Sequence, residues 1–254
     1  MADTNSSTMY YLAYQPSLLR SVKSKFAQLR LTWQLLPGVL VKEEEIMLPK
    51  LALVHLDRIP AETFVEFQHV VDVQGVKLHV EEREDPGPYA SVEWLIPTAV
   101  FIFVGKAYFD GFLKEMGKDH YALLKQGIKS LHGRLLGPKA PKLTTISTGG
   151  KTRTHRPYSL LYSLVAEAEG GFRFKLLLKD SSTQAEYDAE IEAFLTFLEW
   201  YHAANLPLDL IVELEKTPVL GQTIFLAFNS SLQRVQPVDP TKRQASAAAD
   251  LTIK

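Results

Sequence analysis

The sequence predicts an α+β protein in which antiparallel sheets, built from β-hairpins, pack against one long amphipathic helix and a second helix. Three observations lead to this fold class. Strand-like segments come in adjacent pairs rather than singly between helices, which favours antiparallel pairing. Apolar residues recur at three- and four-residue steps over about 98–136, which is the period of an amphipathic helix. The same period returns over about 183–204.

The first predicted elements are a helix over 16–36, a strand over 50–56 and a hairpin over 64–83. In the hairpin segment, β-branched and aromatic residues lie on both sides of Gln74-Gly75, where we expect the turn. The acidic and proline-containing residues that follow are strong breakers and end this region.

The longest pattern predicts one amphipathic helix over about 98–136, or two helices joined near Gly117. Lysines occupy the stripe opposite its apolar face. That apolar face carries Phe101, Val104, Tyr108, Phe112, Met116, Leu124, Ile128, Leu131 and Leu135. Pro97 suits the first turn, and Gly137-Pro138 ends the pattern. A face of this length needs a sheet or a partner chain to cover it, so a homodimer is an open alternative.

The C-terminal half is predicted to contain a hairpin, a helix and two further strands. These elements are the hairpin over 158–179 around Glu169-Gly170-Gly171, the helix over 183–204, and strands over 208–216 and 222–228. Thr183 and Glu186 have the spacing of a capping box, which favours a helix start at Thr183.

The chain is predicted to divide into a half over 1–137 and a half over 158–238, with a single shared core as the alternative. A basic linker loop over 138–157, rich in Gly and Pro, separates the halves and contains one short strand near 143–147. The polar, Ala-rich residues 239–254 are predicted to be a flexible tail.

Composition excludes several classes of protein. With 46% apolar and 22% charged residues, the chain of 254 residues has the make-up of a globular protein. It contains no cysteine, so disulfides, thiolate metal sites, iron–sulfur clusters and a cysteine nucleophile are excluded. The net charge of −1 argues against a polycationic nucleic-acid binder, although it does not describe local patches.

No segment predicts a membrane span or a secretory signal. The most apolar run, 94–104, is eleven residues long, whereas a helical span needs about 20. The first residues are polar and include Asp3, unlike the basic and apolar regions of a signal peptide. A cytoplasmic location is therefore predicted.

A phosphate-binding loop is suggested by residues 147–152, which end in Gly150-Lys151-Thr152. A P-loop also requires a glycine at position 145, where this chain has threonine. It must open a helix as well, whereas residues 153–157 read as loop. An ordinary Gly-Gly turn is therefore favoured.

Neither a metal site nor a catalytic constellation is predicted, and no cofactor is expected. The seven histidines lack ligand-pair spacing, and a hairpin turning at Gln74-Gly75 would direct His69 and His79 to opposite faces of a sheet. The chain lacks the Gly-x-Ser-x-Gly elbow of serine hydrolases. The acidic residues at 81–85 and at 186–192 are predicted to be a charged strand end and a solvated helix face.

One feature predicts a binding site. Residues 120–166 contain no Asp or Glu but eight Lys and Arg, so the rest of the chain carries −9. Exposed Gly amides and basic side chains in the linker suit a phosphate, a nucleotide or an acidic protein face. The candidate anion- or partner-binding residues are Lys139, Lys142, Lys151, Arg153, His155 and Arg156. The simpler interpretation is a basic surface that neutralises acidic neighbours of the same chain, for instance at 43–45 or 81–85.

Three hypotheses for function follow. The first is a non-enzymatic protein-binding protein, such as a bacterial toxin-neutralising immunity protein or a defence-system accessory, which engages an acidic partner face. The second is a sensor of a phosphate-bearing anion or nucleotide that uses the loop 139–156. The third is a hydrolase or nuclease with a scattered site. Nucleic acid is not a favoured ligand, because the basic stretch has few aromatic residues for base stacking.

Overall fold

The structure is a computed structural model that describes residues 49–73, 76–85, 98–109, 118–136, 140–141 and 158–239. Its strands are β1 Leu51–Leu56, β2 Leu78–Arg83, β3 Val100–Val104, β4 Tyr162–Glu167, β5 Arg173–Leu177, β6 Thr223–Asn229 and β7 Arg234–Val238. Its helices are α1 Val65–Val71, α2 Lys118–Ser130, α3 His132–Leu135, α4 Gln184–His202 and α5 Leu208–Lys216. The helix predicted over 16–36, the strand predicted near 143–147 and the tail beyond 239 lie outside the described residues.

The seven strands form one mixed sheet in the order β2-β1-β3-β4-β5-β6-β7. Parallel pairs (β1 with β2, β3 with β4, β5 with β6) alternate with antiparallel pairs. The predicted combination of sheet and helices is therefore confirmed, but the prediction of antiparallel hairpins alone is wrong. Parallel neighbours need a crossover connection, and the three crossovers contain α1, then α2 with α3, then α4 with α5.

The hairpin predicted over 64–83 is wrong. Its first arm is α1, preceded by a 3-10 turn at Ala61–Phe64, and its second arm is β2, which pairs in parallel with β1. Phe64, Phe67 and Val71 are buried at three- and four-residue spacing, so the helical period outweighs their preference for strands. His69 lies on a helix, so it and His79 are not on two strands of one hairpin.

The single helix predicted over 98–136 is also wrong at its start. Residues Val100–Val104 form β3, which lies between β1 and β4. Residues 106–109 are helical, and α2 covers Lys118–Ser130. All five residues of β3 are apolar and four of them are buried, and such a run fits a helical period as readily as a strand. Gly105 ends the strand, where a Cβ atom would lie 2.5 Å from the carbonyl oxygen of Pro49.

Most elements predicted in the C-terminal half are confirmed. The hairpin is formed by β4 and β5, which are joined at Gly170 and Gly171 with positive φ angles of 71° and 79°. Helix α4 begins with the predicted capping box, and β6 coincides with the strand predicted over 222–228. The strand predicted over 208–216 is wrong, because these residues form α5, with Leu210, Ile211 and Leu214 buried on one helical face.

One face of the sheet packs against the helices and forms the main hydrophobic core. Leu53, Ile102 and Leu164 lie side by side across three strands on this face. Helix α2 packs between α1 and α4. Gly127 permits close approach of α2 to α1, because a Cβ atom there would lie 3.1 Å from the ring of Phe67. The sheet takes β1–β3 from the predicted N-terminal half and β4–β7 from the other, through the pairing of β3 with β4.

Among the described residues, no helix combines the length and apolar composition that crossing a bilayer requires.

Candidate functional site

The six predicted site residues lie outside the described residues, as does the glycine-rich stretch 147–152. The structure therefore tests neither the anion site nor the rejected P-loop. Between α3 and residue 158 the structure describes Ala140 and Pro141, and Ala140 packs against the hydrophobic core.

Three of the eight basic residues in the acid-free stretch are described, and all three are ion-paired. Lys125 pairs with Glu192, and Lys129 lies 3.7 Å from the same carboxylate. Arg134 pairs with Glu66 of α1 at 2.8 Å. For these three residues the simpler interpretation, neutralisation within the chain, is confirmed, although the acids differ from those expected.

Two acids of the group at 81–85, which the simpler interpretation set against the basic stretch, pair with arginines outside that stretch. Arg83 holds Glu81 with two hydrogen bonds of 2.7 and 3.1 Å. Arg58 pairs with Asp85 at 2.8 Å. These ion pairs lie at the β2 edge of the sheet.

Both flanks of the basic segment contact the turn that connects β5 to α4. On the N-terminal side, Nε2–H of His132, in α3, donates to the carbonyl oxygen of Ser182 at 2.7 Å. On the C-terminal side, the amide of Ser159 donates to the carbonyl oxygen of Leu178 at 2.7 Å. Both described flanks therefore lie beside the turn that follows β5, next to the N-terminus of α4.

A buried carboxyl group lies beside this turn. Glu190 projects from the second turn of α4 and is only 2% exposed. Its Oε1 accepts a hydrogen bond from the hydroxyl of Ser182 at 3.2 Å. Its Oε2 has no hydrogen-bond partner among the described residues. Loss of hydration raises the pKa of Glu190 to about 7, although the Ser182 hydroxyl and the charge of Lys179 oppose the rise.

Two tyrosines close the cluster on the side of the sheet. The hydroxyl of Tyr187 donates to the carbonyl oxygen of Ile128 at 2.8 Å and lies 3.4 Å from that of Tyr162. Burial raises the pKa of both hydroxyls, so they remain neutral hydrogen-bonding groups. The ring of His132 lies 5.1 Å from that of Tyr187, which places α3 against α4.

The sequence interpretation missed Glu190 because it placed residues 186–192 on a solvated face. The other acids of the group are exposed or half-buried, but Glu190 lies three residues after Tyr187 and four before Phe194, both fully buried. That spacing puts all three side chains on one helical stripe. Helical phase, applied residue by residue, would have found this buried acid.

A second buried polar pair joins the first helices. Because a carbonyl oxygen can only accept, His120 donates from Nε2 to Val71 at 3.2 Å and accepts at Nδ1 from the hydroxyl of Tyr108 at 3.0 Å. Burial lowers the pKa of His120, which favours this neutral form. The bond to Val71 connects α1 to α2.

Two further polar positions lie on the strands of the sheet or next to them. The backbone amide of Lys106, which follows β3, donates to the carboxylate of Glu167 at 2.8 Å, so an anion of the same chain occupies it. Lys175 lies on the sheet face opposite the helices and is 8% exposed. Burial lowers its pKa to about 8. Within the described part of the chain, no three His, Asp or Glu side chains are arranged to hold a metal ion.

Comparisons of the chain with protein-family models, with curated proteins and with solved structures find no match.

Proposed function

We propose that this protein is a non-enzymatic protein-binding protein whose basic segment, residues 139–156, engages an acidic face of its partner. A bacterial toxin-neutralising immunity protein or a defence-system accessory has these properties. The candidate contact residues remain Lys139, Lys142, Lys151, Arg153, His155 and Arg156.

The observation that carries the proposal is that the positive charges of the acid-free stretch fall into two groups, one on helices and one in the linker segment. Along the acid-free stretch, the basic residues on α2 and α3 pair with Glu192 and Glu66. The other five Lys and Arg fall between two anchored flanks, in a segment that contains no acid of its own. Clustered charge of one sign steers a complementary partner and raises its association rate.

The described polar groups support a binding role over catalysis. His120 and Glu167 both hydrogen-bond to the backbone and hold helices or loops in place. Glu190 is ionisable near neutral pH, but its carboxyl is enclosed rather than presented to a substrate. A catalytic acid or base must come within hydrogen-bond reach of the reacting atom.

Affinity capture with matched variants tests the proposal. The full-length chain is used as bait in a lysate of the organism that encodes it, at about 0.15 M salt, where charge screening is moderate. The test variant carries Lys151→Ala, Arg153→Ala and Arg156→Ala. The control carries Lys77→Ala, Arg173→Ala and Lys216→Ala, which remove the same charge from exposed positions elsewhere.

We expect a stoichiometric, acidic protein to be recovered by the wild-type and control chains and to be lost from the test variant. Recovery of no such protein, or equal recovery by all three chains, would contradict the proposal. If no protein is recovered but inorganic phosphate or ATP raises the melting temperature of the wild-type chain alone, the anion-sensor hypothesis replaces it.

A cytoplasmic location forms part of the same proposal. It is supported by the complete absence of cysteine, since a chain that does not use disulfides has no need of an oxidising compartment. Fractionation of cells that express the tagged full-length protein tests the location directly.

A further inference from the structure

Within the part of the chain that the structure describes, Glu190 is the only buried Asp or Glu. Buried carboxyl groups are rare, because an ionised carboxylate loses its hydration unless hydrogen-bond donors or cations replace the water. Here one weak donor, the hydroxyl of Ser182, serves Oε1, and Oε2 lacks a partner among the described residues. This environment suits the protonated acid and not the carboxylate.

Through Ser182, the carboxyl group of Glu190 is connected to three segments of the fold. Ser182, in the turn between β5 and α4, donates its hydroxyl to Glu190 and accepts the Nε2–H of His132 at its carbonyl oxygen. Ser182 is itself 7% exposed. The end of α3, the turn and the first half of α4 therefore meet at one buried hydrogen-bonded chain.

Few charges act on Glu190 from the surrounding elements. In the turn and at the start of α4, Lys179 attracts its negative charge and Glu186 repels it. The other cations on packed elements are already engaged: Lys125 and Lys129 of α2 with Glu192, and Arg234 of β7 with Asp209 and Glu213. Tyr187, on the same helix, is neutral, and His132 donates through Nε2 to the carbonyl oxygen of Ser182.

We propose that Glu190, Ser182 and His132 form a pH-sensitive latch, which holds residues 179–183 and α3 against α4 while Glu190 is protonated and releases them when Glu190 ionises. An ionised Glu190 needs water at Oε2, and the turn that carries Ser182 is exposed to solvent at Lys179 and Asp180. Displacement of Ser182 also breaks the bond to His132.

The pKa of Glu190, about 7 in the latched chain and 4.5 in the solvated state, sets the size of the effect. At both pH 6 and pH 8 the open state is ionised, whereas the latched state changes from mostly protonated to mostly ionised over this interval. The linkage relation then gives an opening equilibrium that is about tenfold larger at pH 8.

Hydrogen–deuterium exchange on the free, full-length protein measures this opening. Amide protection in peptides that cover 131–136 and 178–184 is compared at pH 6 and pH 8, after correction for intrinsic exchange, with β6 as the internal reference. In Glu190→Gln the side chain keeps its size but cannot ionise. In Glu192→Gln the same charge is lost from a half-exposed position two residues away.

The expected result is an approximately tenfold loss of protection at pH 8 in the wild type and in Glu192→Gln, but not in Glu190→Gln. Equal wild-type protection at both pH values, or pH dependence that persists in Glu190→Gln, would overturn the latch. The result does not depend on the proposed partner, because no partner is present.

Discussion

Two glutamates of α4, Glu190 and Glu192, lie one on each side of the helix and behave differently although they are only two residues apart. Glu190 is 2% exposed and receives one hydrogen bond, from Ser182. The side chain of Glu192 is 46% exposed and pairs with Lys125 and Lys129 of α2. Successive helical residues are about 100° apart, so the two carboxyls point to nearly opposite sides.

The comparison indicates that burial changes the free energy of a carboxyl group by more than an ion pair at the surface does. The difference between a pKa of 4.5 and one of about 7 corresponds to roughly 3 kcal/mol between the protonated and ionised forms. An exposed ion pair contributes at most about 1 kcal/mol. The buried side of α4 should therefore respond to substitution far more than the exposed side.

The largest contrast is expected from a core residue on the buried side. Phe194→Ala removes a fully buried ring and should lower the free energy of unfolding by about 3–5 kcal/mol. Glu192→Ala, from the other side, is the matched control and should change it by less than about 1 kcal/mol. Urea unfolding at one pH measures both. Similar values for the two variants would mean that α4 does not pack against the sheet as described.

The second prediction concerns the pH dependence of stability. Because the folded pKa of Glu190 is raised, the unfolded chain loses this proton at lower pH than the folded chain does. Stability from this group is therefore complete below pH 4.5 and falls as the pH rises to about 7. At pH 8, Glu190→Gln should exceed the wild type by roughly 2–3 kcal/mol more than it does at pH 4.5.

Denaturant titrations of both proteins at pH 4.5, 6 and 8 measure this difference. Glu192→Gln is the control, and its difference from the wild type should not follow the same pH profile. A constant difference between Glu190→Gln and the wild type would indicate that the pKa of Glu190 is the same in the folded and unfolded chains.

A smaller effect is expected where the turn meets α4. The Thr183 hydroxyl accepts from the amide of Glu186 at 3.3 Å, and the Glu186 carboxylate accepts from the amide of Thr183 at 2.8 Å. Thr183→Ala removes the first of these bonds and should destabilise the protein by about 1 kcal/mol. Thr196→Ala, in the middle of the same helix, should be neutral or slightly stabilising, because alanine is the better helix former. Thermal unfolding compares them, and an equal loss in both would exclude a capping contribution.

The smallest effect is expected on the exposed side. Glu192→Gln breaks the ion pairs to α2 and should lower stability by less than about 1 kcal/mol in dilute buffer. About 1 M salt should remove the difference, since it screens exposed charges. A difference that is unchanged by salt would show that Glu192 acts through packing.

Local signals in the sequence predicted the C-terminal hairpin and α4 well. The turn of β4–β5 depends on adjacent glycines, and the helix start depends on Thr183 and Glu186, three residues apart. Both devices act between neighbours in the chain, so a short window of sequence contains everything needed to recognise them. The binding residues predicted in 139–156 lie outside the described residues and remain a prediction.

The N-terminal errors arose where local patterns were ambiguous. The five apolar residues of β3 fit both helix and strand, and Phe64, Phe67 and Val71 favour strands by type but helix by spacing. In each case, contact with a segment far away in the chain decided between helix and strand. β3 pairs with β4 some 60 residues later, and α1 is covered by α2.

By itself, the sequence determined the α+β class, the caps and turns of the C-terminal half, the absence of cysteine chemistry and the acid-free basic stretch. Only the tertiary structure decided that strands pair in parallel across helical crossovers. It also decided that, of two glutamates in the same helix, one is paired with lysines and the other is enclosed beside Ser182. Turns and caps arise from contacts between near neighbours, whereas strand pairing and the burial of a carboxyl group depend on segments far apart in the chain.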